Sequence, residues 1–178
     1  MPKILESPRE KILKEAKIEL EKNGYKKLSM RELAKTCNIG LGTLYNYFKN
    51  KNEILKCIIR EDWDYVIDEL KEVNLLNIGF DEKIKFIYDK LNCYMLKYID
   101  IFIEFSNEER DIIFKHENIF IPLYLITDDI ILFYKRNKTI NSSLDERTLS
   151  KFLITNILTI IKTKIFSVDD LICILTNK

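Results

Sequence analysis

Apolar residues recur every three or four positions along most of this chain, which is the spacing that places side chains on one face of an α-helix. Between these segments lie short polar stretches that contain glycine, asparagine or serine. The pattern therefore predicts a succession of helices joined by short connections, four of them within the first 72 residues or so. The predicted helices cover residues 8–23, 29–37, 41–48, 51–72, 80–98, 119–136, 144–164 and 168–176, and residues 99–118 are predicted to be helical but irregular.

Several serines stand where a helix should begin. In a capping box, a serine hydroxyl and a glutamate three residues later each bond the other's backbone N–H. Three Ser-x-x-Glu sequences fit this pattern, and a fourth serine precedes the last helix. Gly24 marks the end of the first helix, because glycine accepts the left-handed conformation common at helix C-termini. The predicted capping serines are Ser7, Ser29, Ser143 and Ser167.

Composition supports the same fold class. The 178 residues include only four glycines and three prolines, too few for the many turns of an all-β fold. The hydrophobic fraction of 47% is sufficient for a packed core. We therefore expect an all-α protein of one compact domain, or of a small domain joined to a medium one.

Charge divides the chain unevenly. Residues 1–60 hold 14 lysines and arginines against 7 acidic residues, whereas residues 61–178 hold 15 against 21. A basic N-terminal part is typical of a module that binds a polyanion, although scattered surface charges give the same count. We place a basic, polyanion-binding domain at residues 1–52 and a helical body at 53–178, with the fourth helix linking them.

Several chemistries find no support in the sequence. No secretory signal or membrane-spanning run is present, so we expect a cytoplasmic protein without membrane contact. The cysteines are far apart and His116 is the single histidine, so we expect neither a metal site nor a cofactor. No catalytic constellation is recognisable, and we expect no enzyme activity. We expect reduced and mostly buried thiols at Cys37, Cys57, Cys93 and Cys173.

Residues 29–48 have the pattern of a helix-turn-helix, in which two short helices meet at a tight turn and the second enters the major groove. Hydroxyl, amide and cationic side chains crowd the second helix and the residues after it. These groups bind phosphates and base edges. Leu44 and Phe48, by contrast, have the spacing of core residues.

The residues from Leu28 to Ala34 and from Cys37 to Leu55 resemble the TetR family of bacterial repressors. The run Gly-Thr-Leu-Tyr-Asn-Tyr-Phe, which begins at Gly42, carries most of the resemblance. Two positions depart from the family pattern. Asn38 replaces the usual turn glycine, and Gly40 replaces the usual capping serine. Asparagine tolerates the left-handed conformation and glycine is an acceptable N-cap, so the motif remains intact.

The resemblance implies a ligand-responsive regulator that binds a palindromic double-stranded DNA operator as a homodimer. It implies that Arg31 reads a base and that phosphates are bound by hydroxyl and lysine side chains. For Tyr45 core packing and phosphate binding are equally open, and Asn46 and Lys49 have solvation as the alternative. The candidate DNA-binding residues are Ser29, Arg31, Leu41, Gly42, Thr43, Tyr45, Asn46, Tyr47, Lys49 and Lys51.

The resemblance also implies a body that pairs with a second copy and binds an unidentified small apolar or aromatic effector, which releases the DNA. The alternative function is a helical coactivator or interaction protein that does not bind DNA. Ordinary core packing is the alternative for each body residue. The candidate pocket residues are Trp63, Tyr88, Tyr94, Met95, Tyr98, Phe102, Phe120 and Tyr124. The candidate dimer residues, all on the helix of residues 144–164, are Leu149, Phe152, Leu153, Ile157, Ile160 and Ile161.

Overall fold

The computed structural model describes residues 7–106 and 117–176, and within them the side chains outside 102–106 and 117–118. All regular secondary structure in these ranges is helical, so the predicted all-α class is confirmed. The α-helices are α1 Pro8–Asn23, α2 Met30–Thr36, α3 Leu41–Tyr47, α4 Lys51–Glu72, α5 Phe80–Ser106, α6 Ile121–Arg136, α7 Glu146–Thr163 and α8 Val168–Thr176. Short 3-10 turns occupy Tyr25–Lys27, Val73–Leu75 and Glu117–Phe120.

The predicted capping bonds form at some of the helix starts and not at others. At α1 the Glu10 amide donates to Ser7 Oγ at 3.2 Å, and the Ser7 amide donates to Glu10 Oε2 at 2.9 Å. The same reciprocal bonds join Ser167 and Asp170 at the start of α8, with an aspartate in place of glutamate. These two starts are confirmed. Ser29 occupies the N-cap position of α2, but its hydroxyl makes no capping hydrogen bond.

The capping box predicted at Ser143 is wrong. Helix α7 begins at Glu146 with Asp145 as its N-cap, and the Thr148 amide donates to Asp145 Oδ1 at 2.9 Å. Both side chains are good N-caps, so the sequence offered two starts two residues apart. The carboxylate receives a second bond from the Thr148 hydroxyl at 2.6 Å, and these bonds hold the pKa of Asp145 below its usual value.

Contacts divide the chain into two compact units, Met1–Asp62 and Trp63–Lys178. Helix α4 contributes residues to both units. The predicted boundary at residue 52 marks the end of the DNA-binding domain. The contact division after Asp62 does not test it, so it stays a prediction.

The first unit packs α1, α2, α3 and the beginning of α4 around one apolar core. The apolar residues of α1 that recur at helical spacing are buried, as the pattern predicts. Leu44 is fully buried and Phe48 is 2% exposed, so the core assignment of both residues is confirmed. The other buried residues in this unit include Ile12, Ala16, Leu33, Ala34, Ile54, Leu55, Ile58 and Ile59.

In the second unit α6 and α7 pack side by side in opposite directions. Arg147 near the start of α7 pairs with Asp128 of α6 at 2.7 Å, and Lys135 near the end of α6 pairs with Glu146 at 3.4 Å. A buried lysine, Lys83 of α5, donates to the carbonyl of Val73 at 2.7 Å. Its burial lowers the pKa of the Lys83 ammonium.

The four cysteines are free. Cys37 is buried and Cys57 is half-buried, whereas Cys93 and Cys173 are exposed, so the expectation of mostly buried thiols is wrong. Both exposed cysteines lie next to buried apolar residues on their helices. Sequence spacing alone did not distinguish positions at the edge of the buried face of a helix from positions within it. Among the described residues, no helix is long and apolar enough to cross a membrane. His116 lies outside the described residues.

Candidate nucleic-acid interface

The turn between α2 and α3 is closed by backbone hydrogen bonds. Asn38 adopts a left-handed conformation with φ of 54°, its amide donates to Lys35 O at 2.9 Å, and the Ile39 amide donates to Ala34 O at 3.0 Å. This pair of bonds is a Schellman motif, which satisfies the last carbonyls of a helix and reverses the chain. Asparagine therefore performs the backbone role of the glycine it replaces.

Helix α1 holds the same turn from outside. Lys11 Nζ donates to the carbonyl of Cys37 at 2.8 Å, at the C-terminal end of α2. A cation at this end also interacts favourably with the helix dipole. Burial, and then the charge of Glu15, raises the pKa of the Cys37 thiol, so it stays protonated at neutral pH. Cys37 thus acts as a small apolar side chain beneath the turn.

Helix α3 has one face in the core and one face in solvent. Leu44 and, just beyond the helix, Phe48 fix it to the rest of the unit. The opposite face exposes hydroxyl and amide groups, including those of Thr43, Asn46 and Tyr47. Such a face can donate to and accept from base edges and phosphates together.

The candidate DNA-binding residues share the surface of α2, α3 and the connection after α3. Arg31 is exposed, and its guanidinium makes no ion pair within residues 7–106 and 117–176. Its neighbour Lys35 instead pairs with Glu32 at 2.9 Å. The exposed candidates are Arg31, Gly42, Thr43, Tyr45, Asn46, Tyr47 and Lys49, and the half-buried ones are Ser29, Leu41 and Lys51.

Gly42 occupies the first turn of α3 with helical, negative φ. A Cβ built on this residue would meet no heavy atom within 4 Å. Neither the backbone conformation nor the space inside this unit therefore requires glycine. Glycine in a helix costs about 0.5–1 kcal/mol relative to alanine, and the open space above Gly42 faces outward from the fold.

Lys51, a candidate phosphate contact, is engaged inside the unit. Its Nζ donates to the carbonyl of Tyr25 at 3.4 Å and lies 4.3 Å from the centre of the Tyr25 ring. The Tyr25 hydroxyl bonds Asn52 Oδ1. Sequence reasoning missed Tyr25 and Asn52, although an aromatic residue in the polar run from Lys22 to Lys27 was a visible signal.

Residues 12–58, less than half of the chain, match the model for bacterial regulatory proteins of the tetR family. This segment contains α2, the Schellman turn and α3. An HTH-type transcriptional regulator of Staphylococcus aureus (strain USA300) is 36% identical over 53 residues. The aligned part is 30% of this chain and only 29% of that relative.

Several solved structures share the fold over nearly the whole chain. FadR from Bacillus subtilis in complex with stearoyl-CoA has a TM-score of 0.62 and 21% identity, covering 94% of this chain and 95% of that one. A TetR/AcrR-family regulator from Thermobifida fusca has a TM-score of 0.68 and 17% identity, covering 95% and 94%. The reduced form of E. coli NemR has a TM-score of 0.62 and 16% identity, covering 96% of both.

In the second unit, several candidate pocket residues form one aromatic cluster. The Trp63 ring lies 5.2 Å from that of Tyr94 and 5.7 Å from that of Phe120. Tyr98 continues the cluster from Tyr94 at 5.4 Å, and Tyr124 continues it from Phe120 at 6.3 Å.

At its edges this cluster contacts a backbone carbonyl and a charged side chain. Trp63 Nε1 donates to Ile119 O at 3.1 Å, and the Arg147 guanidinium lies 5.7 Å from the centre of the Tyr124 ring. Tyr88 and Met95 are half-buried on α5. The side chain of Phe102 lies outside the described residues.

The candidate dimer residues of α7 lie mostly inside the protomer. Phe152 is 42% exposed, and it is the member of the predicted set that a second copy can reach. An apolar stripe does not identify which neighbour covers it, and here α5, α6 and α8 of the same chain do so. The dimer interface itself stays a prediction. The residues buried within the chain are Leu149, Leu153, Ile157, Ile160 and Ile161.

Proposed function

We propose that this protein is a transcriptional regulator that binds a palindromic double-stranded DNA operator as a homodimer and is released by a small-molecule effector. Repression is the mode that we propose. The observation that carries the proposal is the exposed polar face of α3, presented by a Schellman turn within a tetR-family segment. DNA binding places the protein in the cytoplasm, on the nucleoid.

The charge distribution supports DNA as the partner. The 14 basic against 7 acidic residues in positions 1–60 give this part of the chain an excess of seven cations. Neutralising phosphates releases counterions, and such binding weakens steeply as salt rises. Arg31, exposed and outside any ion pair with described residues, has its five donors available for a bidentate contact with guanine.

Selection of bound fragments from random duplex DNA by the full-length protein tests the proposal. We expect a selected sequence with two-fold symmetry and half-sites about 34 Å apart, as a dimer of helix-turn-helix units requires. Replacing both Thr43 and Asn46 with alanine should abolish the preference over mixed-sequence DNA. The matched control is Ser142→Ala in the second unit. A protein that binds no duplex has the alternative function of a helical interaction protein, and one that binds every duplex equally does not recognise an operator, which contradicts the proposal.

We infer that the surface for the second copy lies on the outer face of α7. Phe152, Asn156, Thr159 and Thr163 follow one another along this face at spacings of three or four residues, and none of them is charged. Its polar groups bond to carbonyls of their own helix: Asn156 Nδ2 to Phe152 O at 2.8 Å and Thr159 Oγ1 to Thr155 O at 2.8 Å. Polar groups already satisfied in this way lose little when water is excluded.

Sedimentation of the purified protein tests this surface. Phe152→Asp and Thr159→Arg should each convert the dimer to a monomer, since an unpaired charge is costly in an apolar interface. Lys151→Asp, one position from Phe152 and exposed, is the matched control and should leave the dimer intact. Dimers that survive both substitutions on the face reject this surface as the interface.

The aromatic cluster is the place that we propose for a small apolar or aromatic effector. Aromatic side chains with a few hydroxyls are typical of such pockets. One of the solved relatives, FadR from Bacillus subtilis, is in complex with stearoyl-CoA, which has a long apolar chain. The rings available here are those of Trp63, Tyr94, Tyr98, Phe120 and Tyr124.

Trp63 is the only tryptophan of the sequence, so its fluorescence reports on this cluster directly. Titration with stearoyl-CoA, and separately with an anilinonaphthalene sulfonate, should change the Trp63 emission of the wild type. Tyr94→Leu should weaken that response, whereas Tyr65→Leu, at a residue 66% exposed on the same helix as Trp63, should not. Equal responses from both variants contradict a site at the cluster.

A further inference from the structure

Two connections bracket the helix-turn-helix of the first unit: residues 24–29 lead into α2, and residues 48–50 lead from α3 into α4. Tyr25, in the first connection, is bonded to the residues that follow the second. Its hydroxyl bonds Asn52 Oδ1, and its carbonyl accepts from Lys51 Nζ at 3.4 Å. These contacts close a loop that contains both α2 and α3.

The contacts are made in a partly dry environment. Tyr25 is only 9% exposed, and both Lys51 and Asn52 are half-buried. A buried phenol needs a hydrogen-bond partner, and an ammonium group over an aromatic ring is attracted more strongly as water is excluded. Lys51 Nζ, 4.3 Å from the ring centre, therefore has a defined place beside Tyr25.

We propose that Tyr25 is a positioning residue for DNA binding, and that Lys51 acts through Tyr25 and not on a phosphate. This inference rests on the proposed function of the site. The Tyr25 clamp, meaning the contacts of Tyr25 with Lys51 and Asn52, fixes both ends of the segment that carries Arg31 and α3. Base readout depends on this placement, because displacements of about 1 Å weaken an oriented contact substantially.

The fold of the first unit depends less on the clamp than base readout does. Helix α3 is anchored by Leu44 and Phe48, and α2 is held by Leu33 and by Lys11 bonded to Cys37 O. Removing the phenol oxygen leaves all of these contacts in place. A Tyr25→Phe protein should therefore fold. It should nevertheless hold α2 and α3 less firmly than the wild type, because the bond to Asn52 is missing.

Affinity for two kinds of DNA separates positioning from stability. The probes are the duplex selected by the wild type and a mixed-sequence duplex of equal length. Tyr25→Phe and Asn52→Ala should each lower affinity for the selected duplex by about three- to tenfold, the worth of one hydrogen bond. The double variant should lose no more than either single variant, and affinity for mixed-sequence DNA should stay within about twofold.

Lys17→Met is the matched control, because it removes the bond between Lys17 and Asp62 in the same unit. We expect it to leave the affinity for the selected duplex unchanged. Equal losses on both duplexes for Tyr25→Phe, or a loss for Lys17→Met of the same size, would mean that general stability explains the effect, and would overturn the inference.

Salt dependence tests the role assigned to Lys51. Each phosphate contact contributes about 0.9 to the slope of log affinity against log salt. Lys51→Met should weaken binding to the selected duplex without changing this slope. A slope that falls by about 0.9 for each half-site identifies Lys51 as a phosphate contact and overturns its assignment to the clamp.

Hydrogen exchange provides a readout that needs no DNA. In Tyr25→Phe the amides of Ile39, Leu44 and Phe48, which are bonded within and around α2 and α3, should exchange faster. The amides of α1 should keep their rates. Uniformly faster exchange overturns the inference.

The two proposals fail differently. If the wild type selects no duplex, the DNA-binding function fails, and the exchange measurement still decides whether the clamp holds α2 and α3. If the wild type selects a duplex and Tyr25→Phe binds it equally well, the inference is overturned and the function stands.

Discussion

At the scale of single residues, the surface of the first unit contains a glycine that the fold does not require. Gly42 has helical backbone angles and open space where a Cβ would be. A glycine kept at this position at a cost in stability is typical of a place where another molecule's backbone or base edge must come close. The bound DNA is that molecule in the proposed function.

Gly42→Ala should therefore separate stability from binding. We expect the free energy of unfolding of the protein to rise by about 0.5–1 kcal/mol, because alanine favours the helix. Operator binding should weaken by about 1 kcal/mol or more, since an added methyl group clashes in a close-packed contact. Thermal denaturation and a mobility-shift titration measure the two quantities. Unchanged operator affinity would show that DNA does not approach Gly42.

The role that we propose for Arg31, reading a base, differs from that of its basic neighbour Lys35. Its exposed guanidinium, without an ion pair among the described side chains, suits bidentate recognition of a base. Arg31→Ala should relax preference at one base position by about 1–3 kcal/mol, while mixed-sequence binding changes little. Affinity measured for the four duplexes that vary that base pair decides the matter. An equal loss on all four rejects base reading by Arg31.

At the scale of helices, periodicity predicted most elements, because the apolar residues of each helix repeat with its turns. The helix ends were harder to predict. Asp145 and Ser143 are both capable N-caps, and in the structure Asp145 takes this position with local bonds from Thr148. The faces of α7 were also ambiguous, since a stripe such as Leu153 and Ile157 has the same spacing whether its own chain or a second copy covers it.

The cap of α7 makes stability depend on pH in a direction set by Asp145. Its pKa is lowered in the folded protein, first by the Thr148 hydroxyl and then by the Thr148 amide. Its stabilising contribution is therefore complete above the ordinary aspartate pKa of 3.8 and is lost as pH falls through the lower folded-state value.

Asp145→Asn keeps an N-cap and removes the titration, so its unfolding temperature should change less than that of the wild type below pH 4. Asp145→Ala should lower the unfolding temperature at pH 7 as well. Calorimetric scans from pH 2.5 to 7 measure both effects. Parallel pH profiles of the wild type and Asp145→Asn would mean that other carboxylates carry the acid sensitivity.

At the scale of the whole molecule, the sequence located the helix-turn-helix segment but not the contacts that hold it. The motif from Gly42 to Leu55 is a local pattern, and local patterns are visible in a sequence. The contacts of Tyr25 with Lys51 join residues 26 positions apart, and no periodicity reports such a pair. The phosphate contact expected of Lys51 came from the family resemblance, which does not report its contacts with Tyr25.

The net charge of +1 for the whole chain conceals opposite charges in its two parts. If binding is driven by the basic part, the slope of log affinity against log salt should be steep and should respond to substitutions in that part alone. Lys49→Gln, at an exposed residue after α3, should reduce the slope by about 0.9 for each half-site. Lys71→Gln removes an equal charge from the end of α4 in the second unit, where the ammonium pairs with Asp68 at 2.7 Å.

Lys71→Gln should leave the slope unchanged, because the charge that it removes is already neutralised by a partner and lies in the acidic part of the chain. Fluorescence-anisotropy titrations of a labelled operator between about 50 and 300 mM salt give the slopes of the wild type, Lys49→Gln and Lys71→Gln. Phosphate contacts dominate the salt dependence of binding in this range. Equal reductions for the two variants would mean that long-range charge, and not contact with phosphates, governs binding. A reduction for Lys49→Gln alone assigns the cationic excess of residues 1–60 to the DNA surface.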